Sequence, residues 1–77
     1  MDFPTALKLC LEGKRITNLK WNGKGMYVYA VEGRTYKNTK CAPYLMMYNA
    51  QKEYVPWVPS TGDIFSSQLP AIEMAGM

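Results

Sequence analysis

The sequence predicts a small α+β domain, an antiparallel sheet carrying an N-terminal amphipathic helix and a second short helix. Three observations predict it: one stretch with apolar residues at helical spacing, several short segments at strand spacing, and turn residues between them. The 77 residues are read as one domain, 1–77, with 71–77 either a last edge strand or a frayed tail.

Phe3, Ala6, Leu7, Cys10 and Leu11 fall on one helical face. Asp2 stands where an N-cap belongs, Pro4 fits the first turn, and Gly13 ends the helix. Residues 15–18 form a short strand with Ile16 inward, and Trp21-Asn22-Gly23-Lys24-Gly25 reads as a turn. Residues 26–31 alternate, with Met26, Val28 and Ala30 on one side and Tyr27, Tyr29 and Val31 on the other. Glu32-Gly33 predicts a tight reversal into 34–37, hence a hairpin of these two segments, followed by a connection over 38–42. Residues 44–49 make another strand, 50–52 a turn, and 53–58 a strand that Pro56 confines to an edge or bulge. Ser60 or Thr61 caps a helix over 62–69, with Asp63 in its first turn, and Pro70 stops it.

A chain this short buries a modest core, with a net stability of roughly 3–5 kcal/mol. Disulfides, a metal or self-association are the usual supplements. Cys10 lies on the apolar helix face and Cys41 is distant, so neither belongs to a disulfide framework. Histidine is absent and no Cys-x-x-Cys occurs, so no metal site is expected. Self-association remains, and a homo-oligomer is expected. No stretch is long and apolar enough to span a bilayer, and no signal-like start is present, which places the protein in the cytosol.

The net charge is +3, but its distribution is uneven: Lys14, Arg15, Lys20, Lys24, Arg34, Lys37 and Lys40 face the single acid Glu32 in the middle of the chain. Such a segment suits an anionic partner, although a solvated basic surface looks the same in sequence. Catalysis is disfavoured. The commonest general base is missing, the six carboxylates are scattered, and Asn22-Gly23-Lys24-Gly25 lacks the spacing and trailing hydroxyl of a phosphate loop. No cofactor is implied. What remains is a binding chemistry of two tryptophans, six tyrosines and two phenylalanines beside basic and turn residues. Trp21 and Trp57 suit stacking on a nucleobase as well as closing a core or an interface. Asp63 suits either a helix N-terminus or a polar ligand contact. Met26, Met46 and Met47 read most simply as core or interface filler.

Phe3-x-x-Ala6-Leu7, Glu12-Gly13-Lys14 and Trp21-Asn22-Gly23-Lys24-Gly25-Met26-Tyr27, taken in that order, resemble the second Thoeris anti-defence family of short phage and bacterial proteins. Pro43-Tyr44-Leu45-Met46-Met47 is similar to that family's Pro-His-Ile-x-Met stretch. The run from Val55-Pro56-Trp57 through Ser60 to Asp63-Ile64 is similar to its closing motif. The likeness covers about residues 3–66. Tyr44 replaces the usual histidine, and Gln68-Leu69 stands where the family tends to have Asp-Trp.

The resemblance implies a sponge that sequesters a cyclic ADP-ribose immune signal and so blocks Thoeris defence in the host bacterial cytosol. It implies a homo-oligomer, tetramer or dimer, with ligand pockets between protomers; some relatives also hold cyclic oligonucleotides. The ligand contacts it implies are Trp21, Asn22, Gly23, Lys24, Trp57, Ser60, Thr61 and Asp63. In that reading an indole stacks on adenine, backbone N–H groups meet the diphosphate and Asp63 accepts from ribose hydroxyls. Two other readings of the residues compete with it: a protein-binding module using the tyrosine- and methionine-rich strands, and a nucleic-acid binder using the basic middle.

Overall fold

The computed structural model describes residues 1–23 and 25–72. Helix α1 (Phe3–Leu11) begins where the Asp2 carboxylate accepts the Thr5 N–H at 3.1 Å, with proline in its first turn. It ends in a left-handed reversal: Gly13, at φ +92°, donates to the Cys10 carbonyl and Lys14 to the Leu9 carbonyl. Those two bonds are the Schellman pattern, which needs a residue free of Cβ strain at the position of Gly13.

Six further segments follow: β1 (Arg15–Ile16), β2 (Tyr27–Val31), β3 (Thr35–Tyr36), β4 (Thr39–Lys40), β5 (Tyr44–Tyr48) and β6 (Tyr54–Pro56). After them come α2 (Thr61–Ile64) and β7 (Ala71–Ile72). Five strands make an antiparallel sheet in the order β6-β5-β2-β1-β7, while β3 and β4 pair with each other in a second sheet. The expected α+β architecture with one longer and one short helix is what forms.

Two expectations are corrected. The segment after Glu32-Gly33 does not fold back on β2; β2 pairs with β5 instead, from Tyr27 opposite Tyr48 to Val31 opposite Tyr44. The intervening residues 34–41 form a hairpin arm of their own, in which Lys37 and Asn38 both take positive φ, as a two-residue primed turn requires. Helix α2 is one turn, not a helix over 62–69, because Phe65 already leaves helical geometry and the Ser66 hydroxyl accepts the Gln68 N–H at 3.1 Å. Serine side chains compete in this way with helical bonding. The edge position expected for the proline-bearing strand is where β6 lies, and Ala71–Ile72 forms the opposite edge. The rest of the tail, 73–77, lies outside the described residues.

Strand alternation gives the sheet two unlike faces. On one, Ile16, Val28 and Met47 join Ala6 and Cys10 of α1 and Leu69 to form the core. Complete burial of a side chain such as Leu69 contributes about 2 kcal/mol. The other face carries Arg15, Tyr27, Tyr29, Met46, Tyr48 and Tyr54, placed together by the registers of β1, β2, β5 and β6. Among the described residues, no helix of sufficient length and apolarity to cross a membrane is present.

Candidate functional site

The segment between β1 and β2 and the start of α2 are joined by one carboxylate. Asp63 is buried and accepts four hydrogen bonds, two on each oxygen. Its Oδ1 takes the Asn18 Nδ2–H at 2.9 Å and the Trp21 Nε1–H at 3.0 Å. Its Oδ2 takes the Ser60 backbone N–H at 3.0 Å and the Ser60 hydroxyl at 2.9 Å. Ser60 Oγ in turn accepts the Asp63 N–H at 3.2 Å, which completes a reciprocal capping box.

Four donors fill the acceptor positions of a carboxylate. Burial alone would push the Asp63 carboxyl up; the Ser60 N–H, Asn18, the Ser60 hydroxyl and Trp21 outweigh it and hold the group below its ordinary range. The residue is therefore a charged knot that fixes the Trp21 indole and the α2 cap. In this conformation it has no acceptor position left for a ribose hydroxyl.

Trp21 is half-buried, with its ring edge-to-face on Trp57 at a centroid distance of 6.0 Å and an interplanar angle of 76°. Both rings pack against the core and line, with Phe3, Ala6, Leu45 and Leu69, a wholly apolar space of about 10 Å³. That is at the lower limit for a single water and far below a nucleotide.

The other expected residues divide around this knot. Ser60 and Thr61 are exposed at the start of α2, and Asn22 is exposed beside Trp21. Gly23 is half-buried where a side chain has no room: an added Cβ would lie 2.5 Å from Met26 Sδ and 2.7 Å from Ala50 Cβ. Lys24 lies outside the described residues. The structure thus brings Trp21, Trp57, Ser60 and Asp63 into one cluster and leaves Asn22 and Thr61 at the surface flanking it.

Sequence reasoning missed Asn18. It is buried, donates to Asp63, accepts the Lys20 N–H at 3.0 Å through its side chain, and accepts the Trp21 N–H at 3.0 Å through its backbone carbonyl. The signal was present: an asparagine two residues before a turn readily accepts the backbone N–H two positions on. Its link to Asp63, 45 residues away, has no local trace. The apolar side chains around α2 are unusually open, with Val58 at 85 % and Phe65 at 83 % exposure. Wider open concavities lie elsewhere, one of about 510 Å³ bounded by Glu32, Gly33, Lys40, Cys41 and Pro43.

Compared with known proteins, the chain matches the model of a family described as Tad2-like, the Thoeris anti-defense 2-like domain, over residues 1–68. No protein of curated function matches it.

Proposed function

Because the chain belongs to the Tad2-like, Thoeris anti-defense 2-like family, an anti-defence family, we propose that it acts as a non-catalytic sponge for a cyclic ADP-ribose-type immune signal. It binds the signal in the host bacterial cytosol and holds it from its effector without altering it. The observation that carries this reading is the family match across residues 1–68, which contains the whole Asn18–Trp21–Asp63–Ser60 knot.

Within the knot, Asp63 and Asn18 supply rigidity rather than contact. Asp63 ties Asn18 and the Trp21 indole to the start of α2, so that ligand meets preorganised groups. Asn22 and Gly23 beside Trp21, and Ser60 and Thr61 at the start of α2, present polar groups to the sugar and diphosphate, and Lys24 is the cation the sequence offers to the diphosphate. Trp21 and Trp57 form the aromatic floor. The space beside these rings within one chain is about 10 Å³, whereas ligand pockets span about 300–1,000 Å³. A homo-oligomer therefore completes the pocket with a second copy, and the open Val58 and Phe65 side chains flank the place where it would sit.

No turnover is expected. The buried carboxylate at the knot is ionised and fully engaged, so it offers neither a proton nor a free lone pair to a reacting group. The test is depletion of signal from solution: incubation with the protein should stop the effector from responding, and heating the complex should return ligand of unchanged mass and full potency. A ligand recovered in cleaved form would replace sequestration with hydrolysis.

A further inference from the structure

The hairpin arm β3–β4 stands apart from the five-stranded sheet. Its strands pair with each other in a sheet of their own, and every residue from 32 to 40 is exposed. Between Glu32 and Glu53 the sequence contains no acid, while Arg34, Lys37 and Lys40 place three cations within seven residues. Alternation sorts the arm into two sides. Tyr36 stands opposite Thr39, and Arg34, whose carbonyl accepts the Cys41 N–H at 2.9 Å, continues the same ladder. Arg34 and Tyr36, two residues apart, therefore share a side, while Thr35 and its partner Lys40 belong to the other. From the turn, Lys37 folds back until its Nζ lies 5.4 Å from the centre of the Tyr36 ring. The cation covers part of the ring, yet Tyr36 is 68 % exposed, so most of its surface stays open.

We propose that this side of the arm binds single-stranded nucleic acid, with a base stacking on Tyr36 while Arg34 and Lys37 meet the phosphates that flank it. A surface that serves solubility needs charge alone and has no use for a ring held open between two cations. Single-strand binding needs both. Every base has a flat face that stacks on an aromatic ring, and cations beside the ring track the backbone. A duplex suits the arm less well, because its bases are stacked on one another and leave the ring nothing to meet. An acidic peptide would satisfy the cations and leave the ring without a planar partner. A ring and two cations read no base edge, so the contact is indifferent to sequence. No residue of the arm belongs to the Asp63 knot, and this binding is additional to the proposed sequestration.

The test is fluorescence anisotropy of a labelled oligothymidylate of about six nucleotides, short enough to meet one arm, titrated with the purified chain. Binding should be saturable at about 50 mM salt. Single strands lose about 0.7 in the slope of log K against log salt for each phosphate neutralised. Two cations therefore predict a slope near −1.4, which is roughly a sevenfold loss of affinity between about 50 and 200 mM. Arg34→Ala and Lys37→Ala should each flatten the slope by about 0.7. Tyr36→Ala should weaken binding about tenfold and leave the slope unchanged, a signature that charge alone does not produce. Lys40→Ala, from the other side of the arm, should change affinity less than about twofold. All four side chains are exposed, so each variant should unfold at the same urea concentration as the wild type. Absence of saturable binding at the lower salt, tighter binding of a hairpin duplex, equal losses in Lys40→Ala and Lys37→Ala, or an affinity indifferent to Tyr36→Ala would each overturn the proposal.

Discussion

One sheet presents two faces that solve the same packing problem differently. The face under α1 is closed within the chain: Ile16, Val28 and Met47 meet Ala6, Cys10 and Leu69, and the adjoining carboxylate of Asp63 satisfies four donors. The opposite face is tyrosine-rich, with Tyr54 at 54 % and Tyr44 at 37 % exposure, and its Arg15 Nε has no hydrogen-bond partner among the described residues. The difference teaches where each region's stability comes from. The first face closes around α1 within the isolated chain, while on the second Tyr27 and Val31 are buried and Tyr44 and Tyr54 stay open.

The comparison breaks most visibly at Asp63. Replacing it with alanine leaves the buried Asn18 amide and the Trp21 N–H without an acceptor and removes half of the capping box. The expected loss is about 3 kcal/mol in urea unfolding. A loss near zero would show that the knot is decorative. Gly23→Ala should come next, at about 2 kcal/mol, since the new methyl must displace Met26 and Ala50.

Acid sharpens the contrast further. The folded Asp63 carboxyl titrates below its unfolded value of 3.8, so its contribution is complete above that value and is lost as pH falls through the lower folded one. Unfolding curves taken across that window should show the wild type losing stability that an Asp63→Asn variant never had. The smallest effect belongs to the open face: Tyr44→Ser should change the stability of dilute, monomeric chain by less than about 0.5 kcal/mol. A larger cost would mean that Tyr44 packs within the single chain.

The same contrast explains what could be read from sequence. Helix α1 was legible because its cap, its proline, its apolar spacing and its terminal glycine all lie within thirteen residues and agree. The edge placement of β6 followed from Pro56, which cannot donate to a ladder. The pairing of β2 with β5 was hidden, because Glu32-Gly33 mimics a hairpin turn while the actual primed turn at Lys37-Asn38 contains no glycine. Of the candidate site, the Trp21, Trp57, Ser60 and Asp63 cluster came from ordered motifs. Its internal wiring did not: the bond from Asn18 to Asp63 joins segments that only the folded sheet brings together. Arg15 read as one more charge in a basic run, and nothing local showed that it would lie on two tyrosine rings.

Calorimetric titration of the purified chain with a glycocyclic ADP-ribose isomer, alongside cyclic dinucleotides, asks whether the chain binds the signal. Tight, saturable heat for the ADP-ribose isomer, with a stoichiometry below one ligand per chain and a marked loss in Asn22→Ala, is the result expected of a pocket shared between copies. Absence of heat for every nucleotide tried would contradict it.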